Sequence, residues 1–264
     1  MNILDTIIAQ KRKEVEAARK LTAQQEELPL HLQGRKSLSL KAHLKNDAQS
    51  GIIAEFKRRS PSKGAINLQA DLMSVTDAYV QHGASGLSVL TDRDFFGGGM
   101  EDLHVASVQP LPLLRKDFII DPLQIDEAKR GGADVILLIA ACLSPAEVQS
   151  LATYAKSISL EVLLELHDEA ELDHICAQVD MVGINNRNLK TFEVDIERSL
   201  RMAALLPDDM VKIAESGIRT VDEIMLFRDH GFRGFLMGEQ FMKQPNPGAA
   251  FADFMKTYKQ RLCV

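Results

Sequence analysis

The sequence predicts an α/β protein folded as a single (β/α)8 TIM barrel with an extra N-terminal helical segment before strand 1. Eight short apolar runs alternate with helix-like stretches from Gly51 to Met237. The runs are apolar on both faces, as in parallel strands covered by helices. A length of 264 residues suits such a barrel. The alternative is a doubly wound open sheet, but the first strand-to-helix turn lacks GxGxxG and a Walker lysine motif.

Residues 1–50 are predicted to form a helical extension, and residues 51–264 the barrel, within one domain. Apolar residues at helical spacing among charges, such as Ile3, Leu4 and Ile7, predict an extra helix over residues 3–20. Residues 21–50 are polar and include Pro29, and we expect short helical pieces there. The first strand then follows Gly51, with Ile53, Glu55 and Lys57 on one face and Ala54 and Phe56 on the other.

The later units follow in order, with helix ends marked by their residues. Asp121-Pro122 and Gly131 bound one helix, Ser144-Pro145-Ala146-Glu147 opens another with a capping box, and Gly231 ends a third. The predicted strands after the first are 87–90, 111–115, 135–139, 161–165, 181–184, 211–214 and 235–237. The predicted helices are 70–82, 101–107, 121–130, one from Ser144, 168–178, 195–206, 220–230 and a short turn at 240–242.

Composition excludes several classes of protein. A net charge of -6 argues against nucleic acid as a partner. Three widely spaced cysteines, Cys142, Cys176 and Cys263, indicate neither a disulfide framework nor a zinc site. The N-terminus has no signal-peptide pattern and no apolar run is long enough to span a bilayer, so we expect a cytoplasmic protein without a membrane partner.

Charged and polar side chains end most of the predicted strands. In a barrel of this type the chemistry lies in the loops at the carboxyl ends of the strands. The residues found there are Glu55, Lys57, Lys116, Glu165, Asn185, Arg187, Glu215 and Ser216. One charged strand end is explained by a structural ion pair, whereas so many at one end of a barrel favour an acid–base site that also binds an anion.

Glycines follow the last two strands. Ser216-Gly217 and Gly238-Glu239 are either plain turns or a phosphate cradle, in which backbone N–H groups and a helix N-terminus face the anion. Their position in the barrel favours the cradle.

An ordered set of motifs resembles the indole-glycerol-phosphate synthase family nearly from end to end. The motifs are Ile53 to Ser62 (IAEFKRRSPS), Leu90 to Asp92 (LTD), Leu114 to Ile119 (LRKDFI), Leu164-Glu165, Gly183 to Leu189 (GINNRNL), Ala214 to Ile218 (AESGI) and Phe235 to Glu239 (FLMGE). The resemblance implies ring closure of 1-(2-carboxyphenylamino)-1-deoxyribulose 5-phosphate to indole-3-glycerol phosphate, with loss of CO₂ and water.

The resemblance also implies roles for individual residues. Lys116 would be the general acid on the ketone oxygen, Glu165 and Lys57 would serve the later proton transfers, and Glu55 would tune the lysines. Asn185, Arg187 and Glu215 would surround the hydroxyls and carboxylate of the substrate. Ser60, Ser216, Gly217 and Gly238 would contact its phosphate, joined by the backbone N–H of Glu239 with the carboxylate turned away. Phe96 and Phe118 would form an apolar wall, although ordinary barrel packing explains them as well.

We expect no metal and no cofactor, because the seven histidines form no HExxH or similar cluster, and His167 is interpreted as a loop or cap residue. The expected partner is the phosphorylated small molecule, with other enzymes of the tryptophan pathway as candidates and a monomer or weak homo-oligomer as the assembly. Two rival hypotheses are a sugar-phosphate isomerase of the Amadori type and a barrel that binds an anion without turnover.

Overall fold

Eight parallel strands close into a barrel in the computed structural model, which describes residues 3–21, 30–188 and 193–262. The strands are β1 (Ile52–Phe56), β2 (Gly86–Leu90), β3 (Leu113–Lys116), β4 (Val135–Ile139), β5 (Glu161–Leu166), β6 (Met181–Asn185), β7 (Val211–Glu215) and β8 (Phe232–Met237). Each strand pairs with its neighbours in the chain, and β1 pairs with β8 to close the ring. The predicted (β/α)8 barrel is confirmed.

Helices alternate with the strands, and two of them begin where the predicted capping residues lie. They are α1 (Ile3–Leu21), α2 (Leu40–Lys45), α3 (Leu72–His82), α4 (Arg93–Phe96), α5 (Met100–Ala106), α6 (Pro122–Arg130), α7 (Pro145–Ser157), α8 (Ile196–Ala203), α9 (Val221–Asp229), α10 (Glu239–Met242) and α11 (Pro247–Leu262). Asp121 caps α6 by accepting from the backbone N–H of Leu123, and Ser144 with Glu147 forms the capping box of α7. Local hydrogen bonding therefore fixes these ends.

Some boundaries differ from the prediction. The helix expected over 168–178 is a six-residue 3-10 helix, Glu169–His174. The two ring nitrogens of His174, at its end, lie 3.0 and 2.9 Å from the backbone oxygens of Glu171 and Leu143 and connect the segment to the loop after β4. Strand β8 begins three residues before the predicted start and carries a register shift between Phe232 and Gly234. Pairing in the closed sheet sets that start, whereas hydrophobic pattern alone does not.

A small hairpin and the four-residue helix α4 are absent from the sequence prediction. The hairpin pairs Arg59–Ser60 with Gly64–Ala65 directly after β1. Two-residue strands and a single helical turn are too short to show a periodic pattern, so the loop sequence gave no signal for either.

Two apolar layers follow from the alternation of side chains along the strands. The barrel interior contains Ile53, Leu114, Leu163 and Ile213, whereas Ala54 and other outward residues pack under the helices. The predicted faces of β1 are confirmed. Glu55 therefore shares the inward face with Ile53.

The N-terminal extension contacts both ends of the barrel. Leu40 and Leu44 of α2 join the interior layer and pack near Gly86 and Gly234 at the end where the strands begin. Helix α1 lies at the opposite end, at the carboxyl ends of the strands, where Ile7 is buried. The helix predicted over residues 3–20 is confirmed. Pro29, Leu189 and Cys263, which were part of the sequence predictions, lie outside the described residues.

Among the described segments, no helix combines the length and the apolar character needed to cross a membrane.

Candidate active site

A cavity of about 180 Å³ opens at the carboxyl ends of the strands. All fourteen residues predicted for the site line it: Glu55, Lys57, Ser60, Phe96, Lys116, Phe118, Glu165, Asn185, Arg187, Glu215, Ser216, Gly217, Gly238 and Glu239. They come from the ends of seven different strands and from the loops that follow them, and only closure of the barrel brings them together.

Lys116 lies among carboxylates at the centre of this cavity. Its ammonium is 2.9 Å from Oε2 of Glu165 and 3.5 Å from Oε2 of Glu215. The amide of Asn185 donates to the other oxygen of Glu165 at 2.9 Å. Each of these carboxylates is almost fully buried, so the ion pairs replace the water that the charges lose.

The pKa values of the charged groups in this cluster are shifted in different directions. Burial alone would lower the pKa of Lys116, but Glu165, Glu215 and Glu55 outweigh it and raise that pKa above the ordinary lysine value. Burial likewise opposes ionisation of Glu165, and Lys116 and His167 more than compensate, holding the pKa of Glu165 well below its usual range. The pKa of Glu215 is raised by burial and by neighbouring Glu165. The cluster thus holds Lys116 as an ammonium and Glu165 as a carboxylate, whereas Glu215 is the acid of the cluster that gives up its proton less readily.

Glu55 and Lys57 form the second charged pair. Their Oε1 and Nζ atoms are 2.5 Å apart, at the end of β1. Gly238, which follows β8, packs against this pair: a Cβ at position 238 would lie 2.7 Å from the Cβ of Glu55 and 2.8 Å from its backbone oxygen. A glycine is needed there because the backbone of the last loop approaches β1 so closely.

The turn after β7 has an unusual backbone. Ser216 and Gly217 both have positive φ, at 66° and 76°. The side-chain amide of Asn186, fully buried, donates to the backbone oxygen of Ser216 at 2.7 Å. A Cβ at Gly217 would lie 2.5 Å from Val194. The left-handed turn is held in place by neighbours from the β6 loop, and it faces the cavity.

The rings of Phe96 and Phe118 and the guanidinium of Arg187 form further parts of the cavity wall. Phe96 and Phe118 are half-buried with ring centroids 6.1 Å apart and planes tilted by 39°. Arg187 donates from Nη1 to Oγ of Ser62 at 2.8 Å, and its Nη2 is 3.3 Å from Oε2 of Glu239. The carboxylate of Glu239 therefore contacts Arg187. The cavity has one apolar side and one cationic side.

Helix α1 is part of the wall. Ile3, Leu4 and Ile7 line the cavity. Lys11, one turn further on, is buried with its ammonium 2.9 Å from Asp92 and 2.9 Å from Asp117. These two aspartates lie beside loops that line the cavity, since Asp92 caps α4 and Asp117 follows Lys116.

A family model described as indole-3-glycerol phosphate synthase matches residues 4–254. The chain belongs to the indole-3-glycerol phosphate synthase family. Two relatives that bear this name are similar over nearly the whole chain. The relative from Bacteroides thetaiotaomicron is 47% identical over 262 residues, covering 97% of this chain and 98% of the relative. The relative from Albidiferax ferrireducens is 40% identical over 261 residues, covering 97% and 99%.

Solved structures of low sequence identity share the fold of this synthase-family member. Tryptophan synthase subunit alpha from Legionella pneumophila superimposes with a TM-score of 0.62 at 12% identity, covering 85% of this chain and 97% of that chain. At that identity the likeness concerns the barrel alone.

Four residues near the synthase-family motifs were not predicted to act at the site. His167 was interpreted as a loop or cap residue, yet its ring faces Glu165. Asn186 was left without a role, and Lys11 and Gly183 were not singled out. Of these, only His167 carried a usable signal, since it lies two residues after Glu165 and strand alternation turns both the same way. The other three depend on contacts between distant segments.

Proposed function

We propose that this chain closes the indole ring of 1-(2-carboxyphenylamino)-1-deoxyribulose 5-phosphate, giving indole-3-glycerol phosphate, CO₂ and water. The observation that carries the proposal is the Lys116 ammonium, 2.9 Å from Glu165 inside the cavity. Membership of the synthase family supports the reaction, and the geometry supports the roles of the residues.

Lys116 is the general acid of the first step. The ring carbon that bears the carboxylate attacks the ketone carbon of the sugar chain, and Lys116 gives its proton to the ketone oxygen. Carboxylates on two sides keep Lys116 protonated in the free enzyme, so the proton is present when the substrate binds. Glu55 and Glu215 orient this charge, and Asn185 holds the carboxylate of Glu165.

Loss of CO₂ restores the aromatic benzene ring and leaves a hydroxyl on the new five-membered ring. Elimination of that hydroxyl as water requires one proton donated to the oxygen and one removed from the adjacent carbon. Lys57 and Glu165 share these two transfers. Glu165 is ionised and contacts Lys116, so it also provides a route for returning a proton to the first acid.

The rest of the cavity matches the rest of the substrate. Phe96 and Phe118 provide an apolar surface for the anthranilate ring. Arg187 provides a positive charge for an anionic group. The turn at Ser216-Gly217 and the loop at Gly238-Glu239, with Ser60 opposite, bind the phosphate through backbone N–H and hydroxyl donors.

The test is incubation of purified protein with the carboxyphenylamino-deoxyribulose phosphate, followed by indole fluorescence. The chain has no tryptophan, so the background is low. We expect turnover in the wild type and a loss of about 10³-fold in Lys116→Met, within the range for removal of a general acid. The matched control is Lys212→Met, which removes another buried strand lysine near the start of β7 and should keep the wild-type rate.

Three results would count against the proposal. Folded wild type that binds a phosphate analogue without forming product would favour a barrel that only binds. A product without indole absorbance would favour sugar-phosphate isomerisation. Full activity in Lys116→Met would remove Lys116 from the role of acid.

A further inference from the structure

His167 lies against the catalytic carboxylate from the side opposite Lys116. It follows β5 directly, and its Nε2 is 3.0 Å from Oε1 of Glu165. Lys116 contacts the other oxygen, Oε2, at 2.9 Å. The carboxylate of Glu165 therefore lies between these two side chains, and its Oε1 also accepts from the amide of Asn185 at 2.9 Å. The His167 side chain is only 9% exposed.

The surroundings of the imidazole favour its charged form. Glu171, on the following 3-10 helix, places Oε2 3.8 Å from Nδ1, so carboxylates flank both ring nitrogens. Neither ring nitrogen makes a hydrogen bond of ordinary geometry within the part of the chain that the structure describes. A neutral imidazole would turn the lone pair of one ring nitrogen towards a carboxylate, whereas an imidazolium directs an N–H towards each of the two carboxylates.

Other titratable groups near the pair come from three further elements. Lys116 of β3 and Glu215 of β7 lie on the far side of Glu165, and the thiol of Cys142, which follows β4, is close to Glu165 and Glu171. Burial and the two carboxylates raise the pKa of this thiol, so Cys142 stays neutral. Burial alone would lower the pKa of His167, but Glu165 and Glu171 outweigh it and raise the pKa to about 9.

We propose that His167 is a positioning residue that, as an imidazolium, holds Oε1 of Glu165 so that Oε2 faces Lys116 and the carboxylate stays ionised. The inference rests on the proposed function, because that function gives Glu165 a role in proton transfer that requires its ionised form. His167 itself does not touch the substrate cavity.

The first measurement is an NMR titration of the imidazole signals in the wild type, with the His167 signal identified by its loss in His167→Gln. We expect His167 to titrate at least one unit above the ordinary value of about 6.5, and to titrate lower in Glu165→Gln. Titration at or below the ordinary value, or no change in Glu165→Gln, would overturn the inference. This result is obtained whether or not the protein turns over the proposed substrate.

The second measurement is the pH profile of kcat in His167→Gln. Loss of the imidazolium raises the pKa of Glu165, so activity should be lost at a higher pH on the acid side than in the wild type. We expect kcat to fall about tenfold, with KM changed less than about twofold. The control is His174→Gln, in the same 3-10 helix but bonded to backbone oxygens, which should keep the wild-type profile.

The outcomes separate the two proposals. An active wild type with an unchanged profile in His167→Gln overturns the role of His167 and leaves the synthase reaction standing. An inactive wild type defeats the proposed function, and the NMR titration then decides whether the imidazolium–carboxylate pair exists.

Discussion

Gly183, in the middle of β6, makes room for a carboxylate of the site. A Cβ at this position would overlap Oε1 of Glu215. The atom in the way is the tip of a flexible side chain, so an added methyl would move the carboxylate at little cost to the fold. The geometry of the Lys116 cluster therefore depends on a residue that has no functional group.

We expect Gly183→Ala to lower kcat by about 10- to 100-fold, because a misplacement of about 1 Å at a catalytic group has effects of that size. Steady-state kinetics and a melting curve measure the two effects separately. The control is Gly86→Ala at the start of β2, where a Cβ would lie 2.6 Å from the tip of Leu40. It should alter stability and leave kcat unchanged. Equal loss of kcat in both variants would contradict this explanation.

At the scale of single residues, sequence predicts the charged strand ends and misses what positions them. Strand alternation, together with the predicted barrel, places Glu55 and Glu165 at the barrel mouth. It gives no sign that Gly183 borders Glu215 or that Asn186 bonds Ser216, because those contacts join neighbouring strands through their side chains.

Helix α1 is attached to the site through Lys11. Because Asp92 and Asp117 are both buried, removal of the ammonium leaves two desolvated carboxylates without this partner. We expect Lys11→Met to lower the free energy of unfolding by about 3 kcal/mol, the lower end of the range for one broken buried pair. We also expect KM to rise, since α1 lines the cavity next to the loops that these aspartates hold. Chemical denaturation and steady-state kinetics measure both effects.

Lys20→Met is the matched control on the same helix. Lys20 pairs with Glu16 on the surface, where both side chains are at least 70% exposed, so its loss should cost about 0.5 kcal/mol or less. If Lys11→Met behaved like Lys20→Met in stability and KM, the attachment of α1 would not depend on the buried pair.

At the scale of elements, the sequence predicts regular units well and irregular ones poorly. Asp121-Pro122 and Ser144 to Glu147 fix helix starts through local hydrogen bonds, so a short window of sequence is sufficient. The helix expected over 168–178 is a shorter 3-10 helix, in which His174 contacts a loop oxygen 31 residues away in the chain. The pattern of apolar residues in the sequence gives no information about such a contact.

Asp117 contributes to the stability of the molecule in acid. Burial alone would raise the pKa of this carboxyl, but Arg115 and Lys11 outweigh burial and lower the pKa to about 2. A carboxyl whose pKa is lower in the folded state stabilises the fold above its unfolded pKa of about 3.9, and this contribution disappears as the pH falls towards 2.

We expect Asp117→Asn to be less stable than the wild type at pH 7 and to lose less stability between pH 4 and pH 2. Denaturant unfolding at several pH values measures this slope. The control, Asp47→Asn, removes a carboxylate that pairs with Arg233 on the surface, and it should keep the wild-type slope. A slope in Asp117→Asn equal to that of the wild type would contradict the assignment.

At the scale of the whole molecule, the eight repeated units predict closure of the barrel because alternating apolar runs and helices leave few arrangements that bury every strand on both faces. The places of α1 and α2 at opposite ends were not predictable in this way. Each is set by partners far along the chain, Asp92 and Asp117 for α1 and the starts of β2 and β8 for α2.

The pairing of β1 with β8 has a consequence for synthesis on the ribosome. β1 is the first barrel strand to emerge and β8 the last, and Ile52 and Phe235 meet at the seam. At translation rates of about 5–20 residues per second, one edge of β1 remains unpaired for on the order of ten seconds before β8 is synthesised. During that interval the nascent chain presents an apolar, unpaired strand edge, which is the kind of surface that neighbouring chains and chaperones bind.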